Sequence, residues 1–176
     1  CMRHDWMNDI QVLYGYLKLK KYDKMQDYME NLKTRMIRES GISKLGVPAL
    51  VVYLQSFRVR CPSVRLEVEP EPGVQLAQLA LDEEAVAEAI VAAIEAIARR
   101  AGEPDNGDVN RLRLGIGIGE GVLAVRFEYV GCYNRDGLLQ ELREAARLAG
   151  TDCRIRDDFT MDDEGAAFGM YVPLGK

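Results

Sequence analysis

Between residues 2 and 19 the apolar side chains Met7, Ile10, Tyr14 and Leu17 recur at spacings of three and four, with Trp6 and Leu13 beside them. That period predicts an amphipathic helix. A second stripe, Met25, Met29, Leu32 and Met36, repeats in the same way until Ser40-Gly41 supplies a stop signal. The Lys20-Lys21 link leaves room only for a fold-back, so residues 1–41 are expected to form an antiparallel helical hairpin. An isolated pair covers neither stripe well. The simplest cover is a second copy of the hairpin, which predicts a homodimer through a four-helix bundle.

Beyond a short linker, 42–47, the period changes. Pro48 suits the first turn of a helix reaching about Arg60, which Pro62 ends. Val64 to Glu69 alternates as a strand does, and the loop Pro70 to Gly73 follows. Asp82 is placed to cap an alanine-rich helix to Ala101, with Val86, Ile90, Ala93 and Ile97 on one face. After the loop Gly102 to Asp108, strands Val109 to Ile118 and Val122 to Val130 join through Gly119-Glu120-Gly121. A helix from Asp136 to Leu148 precedes strands Asp152 to Arg156 and Ala166 to Val172. The expected fold class is α+β: a helical hairpin, then a small α/β sandwich over 48–176.

Composition narrows the setting. At 176 residues and 48% hydrophobic content the chain can bury a sizeable core. Its longest apolar runs are far short of the ~20 residues of a bilayer span, and no charged-then-apolar leader opens it. A soluble, cytoplasmic protein without a membrane partner is expected. The four cysteines lie far apart and there is one histidine, so neither a zinc cluster nor a disulfide framework is suggested. Charge divides unevenly: residues 1–60 sum to +5 and residues 61–176 to −10. The basic cluster Lys18, Lys20, Lys21 and Lys24 surrounds a turn and lacks interleaved aromatics, so no nucleic-acid partner is expected.

The most informative segment is Arg3-His4-Asp5-Trp6-Met7-Asn8. His4 and Asn8 are four apart on the first helix, with a carboxylate adjacent. A neutral imidazole whose second nitrogen is held by Asp5 can attack phosphorus. On residue types alone an inert helix histidine with an incidental acidic neighbour is the commoner case, and a non-catalytic dimerisation scaffold stays open.

The string itself resembles the phosphorylation site of the sporulation initiation phosphotransferase B family and of the related dimerisation helices of sensor histidine kinases. The resemblance continues through Asn8, Ile10, Gln11, Gly15, Leu17 and Lys20-Lys21-Tyr22-Asp23, and is specific over roughly the first 40 residues. It implies that His4 carries a phosphoryl group, that Asp5 orients it, and that Arg3 and Asn8 contact that group or the partner. It also implies response-regulator receiver domains as partners, with magnesium supplied by them. Only three residues precede His4, where the family has a further turn, and Cys1 is not a start residue, so a trimmed chain is expected.

The alternative is a fragment of a sensor histidine kinase of the same type, using ATP. In that family an asparagine on the long helix holds magnesium and an Asp-x-Gly motif after a strand reads adenine. Here Ala92 and Tyr129-Val130-Gly131 occupy those places, so a degenerate ATPase-like domain with no cofactor of its own is expected. Glu88 and Glu95 read as solvated carboxylates, and Gly115, Gly117, Gly119 and Gly121 as a glycine-rich strand and turn rather than a phosphate loop. Nothing singles out Glu69/Glu71 or Asp157/Asp158 as an acid and base pair.

Overall fold

The computed structural model describes the backbone of residues 2–103, 109–155 and 160–175, with side chains from residue 6 onward. It divides into two compact units, Cys1–Ser40 and Gly41–Lys176.

In the first unit, α1 (Met2–Lys18) turns through Leu19, Lys20 and Lys21 into α2 (Tyr22–Ser43). Lys20 takes a left-handed φ of 54° to make the reversal. Contacts of residue 9 with residue 35 and of residue 16 with residue 28 set the two helices antiparallel. The apolar stripes divide between two faces. Met25 and Leu32 on α2, like Val12, Leu13 and Tyr16 on α1, are half-buried, whereas Met7, Ile10, Tyr14, Leu17, Met29 and Met36 are 44–58% exposed.

The helix α2 does not stop at Ser40-Gly41. A Cβ on Gly41 would stand 3.3 Å from the Pro70 ring, so close packing rather than helix termination explains the glycine. The left-handed residue that ends this region is Gly46, at φ 85°. Residues 42–47, expected as a linker, belong to the second unit: Leu45 is 0% and Val47 4% exposed, both in its core.

The second unit is a six-stranded sheet covered by helices. Its strands are β1 (Val64–Pro70), β2 (Asn110–Gly119), β3 (Val122–Val130), β4 (Arg154–Ile155), β5 (Thr160–Met161) and β6 (Gly165–Pro173). The order is β1-β2-β3-β6-β4, with β5 also on β6. Among the described strands only β1 and β2 run parallel, starting at Val64↔Asn110. The β2–β3 connection needs just two residues, Glu120 and Gly121, both at positive φ, as a type I′ hairpin requires.

Side-chain alternation separates the two faces of the sheet. Leu112, Leu114 and Ile116, then Leu123, Val125, Phe127 and Tyr129, join Phe168, Met170 and Val172 in the core. Register brings Phe127 against Phe168, stacked with centroids 4.6 Å apart. The helices α3 (Pro48–Arg60), α4 (Glu83–Arg100) and α5 (Leu138–Leu148) supply the rest, through Leu50, Phe57, Ile90, Ile94, Ile97, Leu138 and Leu142. Asp82 caps α4 by accepting from the Ala85 amide at 3.0 Å. Helix α5 starts at Leu138 rather than Asp136, because Asn134 Oδ1 captures the Asp136 amide and Gly137 turns left-handed at φ 72°. The mixed α+β order of N-terminal helices and then a sheet agrees with the sequence reading; a four-helix bundle is not part of this single chain.

Candidate functional site

His4, Asp5 and Arg3 fall in the opening turns of α1, and their side chains lie outside the described residues. Asn8, one turn later, is exposed. The adjoining Asp9 was not anticipated by the sequence reading. It is 5% exposed, and is the sole buried residue among those described in the first unit.

Burial of a carboxylate is costly unless each oxygen finds a donor. Here the Tyr28 hydroxyl donates to Asp9 Oδ1 at 2.6 Å and Arg35 Nη2 donates to Oδ2 at 2.5 Å. Tyr28 first, and then Arg35, hold Asp9 below the usual carboxylate range. The same hydrogen bond pushes the Tyr28 phenol up. Tyr16 meets Tyr28 edge-on at 6.2 Å and completes the cluster. A signal for it existed in the sequence: Asp9 shares the helical phase of Val12, Leu13 and Tyr16, not that of the exposed stripe.

In the second unit, Ala92 is half-buried on α4 and has no side-chain oxygen to offer a metal. Tyr129 is 2% exposed and its hydroxyl donates to the Cys132 carbonyl at 2.9 Å; burial pushes its phenol up. Gly131 is required for a packing reason: a Cβ there would lie 2.3 Å from Asn110 Oδ1, and its φ is 141°. Asn110 is fully buried, donating to the Gly102 carbonyl at 2.8 Å and accepting from the Cys132 amide at 3.0 Å.

Further bonds tie the segment after β3 to the end of α4. Gly102 donates to the Cys132 carbonyl, Asn134 to that of Arg100, and the Arg100 guanidinium to that of Asp136. Glu141 on α5 bridges Arg100 at 2.8 Å and Arg99 at 3.0 Å, and these guanidiniums, Arg100 foremost, hold its carboxyl low.

Glu88 is exposed. Glu95, expected as a solvated carboxylate, instead accepts from Tyr53 at 2.8 Å and pairs with Arg60 at 3.2 Å. Gly115, Gly117 and Gly119 lie on β2, where a Cβ on Gly117 would stand 2.4 Å from the Glu71 carboxylate. The glycine makes room for that side chain. Asp157 and Asp158 lie outside the described residues. Among the described residues no group of three or more His, Cys, Asp or Glu is arranged to hold a metal ion, and no helix is long and apolar enough to cross a membrane.

Comparison with known proteins finds a family model matching the N-terminal helices and fold neighbours for the chain as a whole. Residues 1–45 match the family model of the alpha-helical domain of the SpoOB-type sensor kinase. Sporulation initiation phosphotransferase B of Bacillus subtilis (strain 168) is 36% identical over 67 residues, covering 38% of this chain and 35% of that relative. The matched stretch thus spans about a third of that relative's length.

The Acinetobacter baumannii histidine kinase AdeS superposes with a TM-score of 0.55 at 13% identity, covering 98% of each chain. The catalytic domain of histidine kinase ThkA gives 0.50 at 11%, over 71% of this chain and 88% of that one. ThkA in complex with the response regulator TrrA gives 0.51 at 14%, over 99% and 60%. At these identities the structural likeness establishes the fold alone, one shared with histidine kinases, and the match to the SpoOB-type helical domain lies at its front.

Proposed function

We propose that the chain is a phosphorelay phosphotransferase that passes a phosphoryl group between the aspartates of two response regulators through His4, in sporulation control. The observation carrying this reading is the place of the chain's single histidine. It stands at the start of α1, inside the stretch that matches the SpoOB-type helical domain, in a chain that shares 36% identity over 67 residues with a phosphotransferase. The ThkA complex with a response regulator supports a receiver domain as the partner.

In the proposed reaction neutral His4 attacks the phosphorus of an aspartyl phosphate. A nitrogen–phosphorus bond forms as the bond from phosphorus to the aspartyl oxygen breaks, and the freed carboxylate stays on the regulator. Asp5 holds the second ring nitrogen and offsets the charge that develops on the imidazole. Arg3 and Asn8 contact the phosphoryl oxygens or the regulator. A second regulator's aspartate then attacks the phosphohistidine and reverses the step. Magnesium held by the regulator would supply the charge that offsets the phosphoryl oxygens, and in this proposal the chain itself brings no metal or cofactor. The exposed stripe of Met7, Ile10, Tyr14 and Leu17 with Met29 and Met36 is the proposed homodimer face.

The test is incubation with a phosphorylated receiver domain and a gel that preserves acid-labile phosphate. Label is expected on the native chain and absent from His4→Gln; label on His4→Gln overturns the mechanism. The histidine-kinase fold favours one rival, a kinase fragment that loads His4 from ATP. Against it stand Ala92, the buried Tyr129 and the bonded segment after β3.

A further inference from the structure

We propose that Asp9, held between Tyr28 and Arg35, is a positioning residue for phosphoryl transfer: it fixes the register of the opening of α1 against α2. The inference rests on the proposed role of His4 and extends it to residues to which no role has been assigned.

The apolar contacts inside the hairpin are only half-buried on both helices. Such contacts are non-directional and tolerate a sliding or rotated helix. The Asp9 carboxylate is directional. Its two oxygens are taken by donors from positions seven residues apart on α2, Tyr28 and Arg35. Seven residues are two helical turns, so the pair of bonds resists both rotation and axial slip of α1. A buried polar tie that specifies register is the best-attested use of such groups.

Its place in the chain gives this tie a function. Asp9 stands five residues after His4, about 7.5 Å along the axis and about 140° around it. That spacing does not set the two residues on one face, so Asp9 acts through the helix rather than on the phosphoryl group. No described side chain of α1 nearer its start is buried, and a helix beginning lacks its own first hydrogen-bond partners and frays unless held.

The experiment compares the native chain with Asp9→Asn, Tyr28→Phe and the reversed pair Asp9→Arg/Arg35→Asp. Single-turnover transfer from a phosphorylated receiver domain is measured over a range of receiver concentrations, and amide hydrogen exchange is followed in α1. Asp9→Asn is expected to lower the saturating rate about tenfold, on the scale of small misplacements at a reacting group, with the half-saturating concentration unchanged. Exchange across α1 should accelerate while that of β2 and β3 stays native, and Tyr28→Phe should shift both readouts in the same direction by less. The reversed pair should recover most of the rate, which a loss of carboxylate chemistry at Asp9 would not allow. Native exchange in Asp9→Asn overturns the proposal, as does a change confined to the half-saturating concentration. If the native chain takes up no phosphoryl group, the His4 reading falls separately, and exchange alone decides whether Asp9 fixes the hairpin.

Discussion

The Tyr53 hydroxyl donates to Glu95 Oε1 at 2.8 Å, and the same carboxylate oxygen receives Arg60 at 3.2 Å while the Arg60 guanidinium lies 4.9 Å over the Tyr53 ring. One carboxylate on α4 thus organises two residues of α3. Glu95→Ala strands a hydroxyl on a residue only 8% exposed. The expected loss is about 1–3 kcal/mol, the cost of a buried unsatisfied group, and Tyr53→Phe, which removes donor rather than acceptor, should cost about 1 kcal/mol. Urea unfolding of the two variants and the native chain checks the order.

Alkaline pH should destabilise the second unit. Burial pushes the phenols of Tyr53 and Tyr129 above the ordinary value of 10.0. In the unfolded chain both ionise as pH passes that value, whereas in the folded chain they remain protonated, so unfolding then releases protons and stability falls with rising pH. Their contribution is complete below pH 10 and lost as pH climbs toward the folded values. Melting temperature should be insensitive to these groups at pH 8 to 9 and drop above pH 10. Tyr53→Phe should flatten part of that drop.

Acid acts in the opposite sense on the hairpin. Asp9 is held below its ordinary value of 3.8, so its stabilising contribution is present above that value and disappears as pH falls through the folded one. Helical circular dichroism of the native chain should show an acid loss that Asp9→Asn lacks. An identical acid profile in both proteins would assign the loss to other carboxylates.

Gly131→Ala is expected to be among the most damaging single changes in the chain. The new methyl group would stand 2.3 Å from Asn110 Oδ1, on a backbone at φ 141°. Strain of this kind costs about 1–3 kcal/mol before any clash is relieved. Asn110→Ala should cost about as much by another route, leaving the Cys132 amide and the Gly102 carbonyl without their partner. Thermal unfolding of both variants measures this.

The homodimer face makes its own prediction. Ile10→Lys with Met36→Lys places charge on residues 56% and 44% exposed, so the fold should persist while sedimentation shifts to monomer. Leu32 is a poorer choice, since it is half-buried within the hairpin and its loss would unsettle the helix pair itself. A chain already monomeric at tens of micromolar, a range covering ordinary dimer affinities, would refute the dimer. Magnesium ATP should bind more weakly than about 100 μM, or about 5.5 kcal/mol; tighter binding by calorimetry would move the reading to a kinase.

Much of the sheet was legible because its strands alternate. The bounds of β3 agree with the sequence reading, since Leu123, Val125, Phe127 and Tyr129 interleave with Arg126 and Glu128 and the Glu120-Gly121 turn has few other uses. The two-residue strand β5 is too short for any period to reveal. Gly41 misled because a glycine packed closely against the neighbouring Pro70 ring reads the same as one that ends a helix. Asp9 escaped notice for a related reason: a charged side chain on an amphipathic helix signals solvent, and only tertiary partners on α2 reverse that. The string around His4 was legible as chemistry by resemblance alone, since one imidazole beside one carboxylate is compatible with many inert helices.

The single parallel pairing in the sheet sets an order of events in time. The β2–β3 hairpin closes across two residues and can form in about 1–10 μs, whereas Val64 meets Asn110 only after the whole of α4 has been brought round. In pulse-labelled refolding the amides of β2 and β3 should therefore gain protection before those of β1. Until β1 docks, the outer edge of β2 stands open, and the nascent sheet is most exposed to pairing with another chain at that stage.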